Sequence, residues 1–139
     1  MKKRIYLASP FFTPTQIELR DMVRSIAMEL GFDVFSPGHD NLMTDNSTQD
    51  ELIRGFKRNV SEIENCDIMV AIGNDYDTGT MIEIGYAYAK KVPVIYFNSS
   101  NDGKRRNLMI AGISLMNATT YEQLAELLSL IDNQIEIIE

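Results

Sequence analysis

The chain has 139 residues, with 13 Lys and Arg against 20 Asp and Glu, for a formal charge of −7. Its 45% apolar and 24% charged residues suit one globular domain, 1–139, that buries a core without covalent staples. The acidity argues against tracking a nucleic-acid backbone, the single cysteine (Cys66) excludes a disulfide framework, and no apolar run approaches the ~20 residues of a membrane span.

Met1-Lys2-Lys3-Arg4 is a basic start, but the apolar stretch after it is short and breaks at Pro10. A cytoplasmic protein is therefore expected rather than an exported one. Ile5-Tyr6-Leu7-Ala8 reads as a strand, ended by Ser9-Pro10. Thr13-Pro14 opens a helix, with Met22, Val23, Ile26, Ala27 and Leu30 predicted as its buried face and Gly31 as its stop. Phe32–Phe35 is a second strand, and Gly38 to Ser47 a polar loop. Leu52, Ile53, Phe56, Val60 and Ile63 mark a second helix. Asp67–Ile72 is a third strand, apolar enough to be covered on both faces. A loop over Gly73–Gly79 leads into a third helix predicted over Thr80–Lys91. Val92–Phe97 is a fourth strand, Asn98–Asn107 a loop, and Ser114–Ala118 a short fifth strand. The last helix runs from Thr120 to about Asn133, with Thr120 and Gln123 spaced as a capping box.

Strand and helix alternate throughout. The pattern predicts an α/β fold: a doubly wound, mainly parallel five-stranded sheet with helices on both faces, flavodoxin- or Rossmann-like. Ligands of such sheets bind beyond the carboxyl ends of the strands. The loops at Ser9–Thr15, Ser36–Ser47 and Gly73–Thr80 leave those ends.

The third of these loops carries the most chemistry. Glu83 is predicted in the first turn of the helix that follows, among Met81, Ile82 and Ile84. There it is either a carboxylate favoured by the helix dipole or a nucleophile or base facing a ligand. Gly85, Ala87 and Ala89 are predicted as a small-residue face against the sheet. A phosphate loop is excluded, because neither glycine-rich pattern is present and the loop carries two aspartates. His39, the one histidine, cannot build a histidine-rich metal site and is expected on the surface beside Asp40. No metal and no cofactor is expected. Cys66 is expected to be a small core residue, while Phe11-Phe12 either stack on a planar ligand or staple the next helix.

Three stretches taken together resemble the nucleoside 2-deoxyribosyltransferase family. They are Tyr6-Leu7-Ala8-Ser9-Pro10-Phe11-Phe12, then Asp77-Thr78-Gly79-Thr80-Met81-Ile82-Glu83-Ile84-Gly85-Tyr86-Ala87, then Asn107-Leu108-Met109. The resemblance implies an enzyme that moves the 2-deoxyribosyl group between nucleobases by retaining double displacement, through a covalent ester on Glu83. It implies Tyr6 beside the nucleophile, Phe11 and Phe12 near the base, Asp77 at the hydroxyl end of the sugar, and Gly79 and Asp40 among the substrate-binding residues. It implies that Asn107 reaches the substrate of a neighbouring subunit, hence a dimer-based homo-oligomer with shared sites, and that Met109 also binds substrate. The partners so implied are 2′-deoxynucleosides and free nucleobases, with no nucleic acid and no membrane. Members usually carry an aspartate on the preceding helix where this chain has Asn59. An amide donates a hydrogen bond but delivers no proton. Asp40 and Glu62 are the candidate substitutes. A carboxyl-terminal tyrosine of some members also has no counterpart here.

Two alternatives remain at this level. One is hydrolysis of 2′-deoxynucleoside 5′-monophosphates, for which related enzymes use serines where this chain has Asp77 and Asn107. A carboxylate ~4 Å from a phosphate would oppose binding by about 4 kcal/mol at an effective dielectric near 20. The other is a non-catalytic nucleoside-binding domain.

Overall fold

The computed structural model describes residues 2–100 and 107–138, with side chains through residue 131. Residues 101–106 of the predicted loop Asn98–Asn107, and the side chains of the acidic tail Glu136–Glu139, lie outside it. Five strands form: β1 (Arg4–Ala8), β2 (Asp33–Phe35), β3 (Ile68–Ile72), β4 (Val94–Phe97) and β5 (Met116–Ala118). Among the described residues six α-helices accompany them, α1 (Pro14–Glu29), α2 (Pro37–Asp40), α3 (Gln49–Asn65), α4 (Thr78–Ala89), α5 (Leu108–Ile113) and α6 (Tyr121–Ile138), with a 3-10 turn at Asn74–Tyr76. All strand pairs are parallel, in the order β2-β1-β3-β4-β5. The predicted doubly wound α/β sheet is the fold observed. Its strand order reverses between β1 and β3, so the loops leaving those two strands part and open a crevice.

Alternation along the strands divides the core into two layers. Ile5, Leu7, Val70, Ile72, Ile95 and Phe97 meet Leu19, Val23 and Ala27 of α1 and Leu124 and Leu128 of α6. On the other face Tyr6, Ala8, Met69, Ala71, Val94 and Tyr96 meet Ile63 of α3, Ile84 and Ala87 of α4 and Ile110 of α5. All five residues of β3 are buried, as a strand covered on both sides requires. Thr13 and Gln16 close a capping box on α1, and Thr48 and Glu51 close another on α3. Gly31 ends α1 with φ of 94°, a left-handed turn that glycine adopts without a Cβ penalty.

Several expectations are corrected. Met22 is exposed, and the buried row of α1 runs through Leu19, Val23 and Ala27 instead, one full turn apart at each step. Leu52, Ile53 and Phe56 of α3 are exposed, so only the last turns of that helix reach the core. Gly85 and Ala89 face outward. The sheet-facing positions of α4 are Thr80, Ile84 and Ala87, because residues two apart on a helix point in different directions. Cys66 is half-buried at the C-cap of α3, with Sγ 3.1 Å from the Ile63 carbonyl, and burial raises its thiol pKa to about 11. Two short helices lie in segments read as loop or left unread. α2 runs into the predicted polar loop Gly38–Ser47, since Pro37 suits a first helical turn. α5 is capped by Asn107, whose Oδ1 accepts from the amides of Met109 and Ile110. At α6, Thr120 Oγ1 accepts from Gln123 N as predicted, but the Gln123 side chain accepts from Thr119 rather than Thr120.

Candidate active site

Helix α4 begins two residues earlier than its sequence suggests. Asp77 is its N-cap, with Oδ2 accepting from both the amide and the hydroxyl of Thr80 at 3.0 Å. Glu83 therefore lies in the second turn, beyond the reach of a capping role. Its carboxylate points at the crevice, and Oε2 accepts a hydrogen bond from the Tyr6 hydroxyl. Tyr6 is fully buried on β1, paired in register with Met69 of β3 and packed at 5.6 Å on the ring of Phe35. The pair thus spans the point where the strand order reverses.

Burial raises the Glu83 pKa to about 7. The Tyr6 hydrogen bond opposes that shift, and the charge of Asp77 adds to it. Tyr6 is pushed far upward, first by burial and then by Glu83, so its hydroxyl stays a donor. One carboxylate oxygen is held and the other, Oε1, is left for chemistry. Glu83 therefore ionises near neutral pH, the range that suits a general acid or base.

A cavity of about 380 Å³ opens over this carboxylate, a size suited to a small organic ligand. Phe56, Asn59, Val60 and Ile63 of α3 form one wall, and Gly79, Ile82 and Tyr86 of α4 accompany Glu83 on the other. Asn59 is the polar group on the α3 wall, and its Oδ1 accepts from Asn41 Nδ2 at 2.8 Å. A larger hollow of about 670 Å³, between Tyr88 and Leu115, holds no carboxylate and lies at the amino end of β4, away from the ligand-binding ends of the strands.

The loop before α4 is tied from two sides. Asp75 and Tyr76 both have positive φ, 67° and 49°, which is uncommon for residues with a Cβ. Buried Gln16 donates to Asp75 Oδ2 at 2.9 Å while its Oε1 accepts from the amides of Phe12 and Thr13. Buried Asn74 exchanges two hydrogen bonds with Ser99. Gly73 passes so close to Tyr96 that a Cβ there would lie 1.8 Å from the phenol oxygen.

The remaining residues singled out from sequence do not line the cavity. Phe11 and Phe12 stack on each other at 4.9 Å beyond β1, with the Arg20 guanidinium over Phe11. Asp40 Oδ2 caps the Ser36 amide, and Glu62 Oε2 pairs with Arg4 at 2.5 Å. Asn107 serves as the α5 cap, with Met109 exposed beside it. His39 sits at the surface against Asp21 and Ser36, its pKa lowered by partial burial and by Arg20 and Arg24. Among the described residues, no cluster of His, Cys, Asp and Glu could hold a metal ion, and no helix is long and apolar enough to cross a membrane.

Sequence reasoning missed the apolar walls. Phe56, Val60 and Ile82 carry helical spacing and so look like core. It also missed Asn41 and Gln16, whose roles depend on contacts across the fold.

Comparison with known proteins supplies the context. The sequence profile of the family described as nucleoside 2-deoxyribosyltransferase matches residues 5–125. No curated protein sequence matches the chain. A solved 2-deoxyribosyltransferase from the psychrotolerant bacterium Bacillus psychrosaccharolyticus is similar at 31% identity and a TM-score of 0.81, covering 88% of this chain and 90% of that one. A conserved protein from Enterococcus faecalis V583 is similar at 20% identity and a TM-score of 0.76, covering 94% of this chain and 99% of that one. A CMP N-glycosidase from Clostridium botulinum, also at 20% identity, has a TM-score of 0.64 and covers 91% of this chain and 98% of its own. The last two likenesses show the shared fold.

Proposed function

Since the chain belongs to the nucleoside 2-deoxyribosyltransferase family, we propose that it exchanges the base of a 2′-deoxynucleoside for another base, with Glu83 as the nucleophile. The observation that carries this reading is the partly buried Glu83 carboxylate, held through one oxygen by Tyr6 and opening onto a cavity of small-molecule size. Oε1 attacks C1′ as the C1′–N bond breaks, and the electron pair leaves with the base. A transition state with oxocarbenium character forms over a carboxylate in a largely apolar site, where its charge is stabilised best. The incoming base then attacks C1′, the ester bond breaks, and Glu83 regains its charge. The departing base gains a proton and the incoming base loses one, so the exchange balances. Two displacements at one carbon retain its configuration.

Asn59 faces the base in this reading, and Asp77, with Gly79, faces the hydroxyl end of the sugar. The carboxylates at Asp77 and Asp75 favour an uncharged nucleoside over a nucleotide. A homo-oligomer with shared sites is supported by the exposure of Leu108 (83%), Met109 (65%), Phe56 (66%) and Ile82 (66%) on the cavity's side of the sheet. Phe11, Phe12, Asn107 and Met109 would then meet substrate where a neighbouring subunit packs against this face.

Feeding deoxyadenosine with cytosine, and separately deoxyadenosine monophosphate, tests the reading. New deoxycytidine is the expected product. Cleavage confined to the monophosphate would assign a hydrolase instead. A 2′-fluoro-2′-deoxynucleoside should leave a covalent adduct detectable by intact-mass spectrometry. No adduct on the native protein, or an equal adduct on Glu83→Ala, would remove Glu83 from the role of nucleophile.

A further inference from the structure

The cavity wall facing Glu83 contains an amide whose orientation is settled by a chain of hydrogen bonds. The Gly55 carbonyl belongs to helix α3 and can only accept. It lies 2.9 Å from Asn41 Nδ2, which also lies 2.8 Å from Asn59 Oδ1. A carbonyl oxygen of Asn41 in that place would face the Gly55 carbonyl and gain nothing. The NH2 group of Asn41 is therefore directed at both acceptors, one proton to each. Asn59 must offer its oxygen to Asn41, and this leaves its own NH2 group without a protein acceptor among the described residues.

Asn41 itself is anchored on both sides. Its amide donates to the Pro37 carbonyl at 2.9 Å, and Arg58 of α3 donates to the neighbouring Asp40 carbonyl at 2.7 Å. Met43 of the same segment packs its flexible side chain over Gly55 of α3. A Cβ there would come within 3.2 Å of Met43.

We infer that Asn41 is a positioning residue that locks Asn59 with its N–H donors toward the cavity, so that the site selects a base presenting an acceptor atom to this wall. The inference rests on the proposed function and deepens it. As the glycosidic bond breaks, negative charge collects on the acceptor atoms of the departing base. A fixed N–H stabilises that charge without transferring a proton. An unlocked amide would present its carbonyl oxygen part of the time, and would then oppose the same charge.

The test compares 2′-deoxyadenosine with its 1-deaza, 3-deaza and 7-deaza analogues, each of which replaces one ring acceptor by C–H. In the native protein, kcat/KM should favour the parent over one of the three by about tenfold, the effect of one well-placed hydrogen bond. Asn41→Ala and Asn59→Ala should each reduce that ratio to within about twofold, and the double variant should reduce it no further. A merely structural role for Asn41 would lower all four rates together and leave the ratio intact, which would overturn the inference. So would a native ratio near one for all three analogues. Side-chain amide NMR of the unmutated, ligand-free protein covers the case in which a variant fails to fold. Both Asn41 NH2 protons should exchange with solvent more slowly than those of Asn59, and the reverse order overturns the lock. If no deoxynucleoside is turned over, the proposed function falls. The lock then stands or falls on the exchange order alone.

Discussion

The two faces of the sheet do different work. The face covered by α1 and α6 is closed and apolar, with Val70, Leu124 and Leu128 entirely out of solvent. The face covered by α3, α4 and α5 is built from the same alternating strands, yet it buries a tyrosine against a glutamate and leaves a cavity between two helices. One face is complete as packing. The other is incomplete as packing, and the gap is large enough for a small organic molecule. If Glu83 acts as proposed, stability and chemistry are separated by the thickness of one sheet, and substitutions on either side should report on one property more than the other.

The largest expected effect is on the second face. Glu83→Ala should lower base exchange by at least about a thousandfold, the scale on which loss of a nucleophile acts, while the protein stays folded. Chromatography of the nucleoside products and circular dichroism measure the two. Exchange within tenfold of the native rate would break the division of labour at its centre. On the first face, Leu124→Ala should cost about 2–5 kcal/mol by urea unfolding, with exchange per folded molecule preserved. Loss of activity beyond the folded fraction would mean that the two faces are coupled.

Next comes the cost of placing a carboxylate in the second face. The folded-state pKa of Glu83 is about 7, above its ordinary value of 4.5, so the folded protein holds this proton more tightly than the unfolded chain does. The stability this lends is fully present below about pH 4.5 and is lost as pH rises to about 7. Glu83→Gln should therefore raise stability by about 3 kcal/mol near pH 8 and by little near pH 4. Urea midpoints at the two pH values check it, and an equal gain at both would show that Glu83 is not held in a destabilising environment. The same group should make kcat/KM rise with pH to a plateau above about 7, because attack needs the carboxylate. Tyr6→Phe removes the hydrogen bond that opposes the shift and should move that midpoint upward. The smallest effect is at the opposite wall. Asn59→Asp should speed base release several-fold, most for purines, by adding a proton donor. An unchanged rate would place proton delivery elsewhere.

The difference between the faces also governs how much could be read from sequence. The first face follows from pattern: Val70 and Ile72 in an unbroken apolar run, and helices with apolar rows, need only period and burial to be recognised. Even there Met22 misled, because a helix of this width exposes apolar residues at the margin of its buried row. On the second face the spacing of Leu52, Ile53 and Phe56 is that of a core helix, yet these side chains border a cavity or solvent. Periodicity registers that a face is apolar, not what covers it. Glu83 stands out along the chain as a carboxylate among apolar neighbours after a strand, and Tyr6 becomes a candidate only through the family resemblance; the structure hydrogen-bonds the two. Asn41 and Gln16 do not stand out, since each acts on a residue distant in sequence, and neither contact leaves a local pattern.

The left-handed pair Asp75-Tyr76 has a consequence in time. Residues with a Cβ resist this conformation, and here Gln16 on one side and Asn74 with Ser99 on the other hold it in place. The awkward geometry is thus adopted once, when the chain folds, rather than at each encounter with a ligand. The start of α4 that carries Asp77 and Glu83 is already set when a molecule arrives. The tie through Gln16 also makes the aromatic loop after β1 and the acidic loop after β3 parts of one rigid rim.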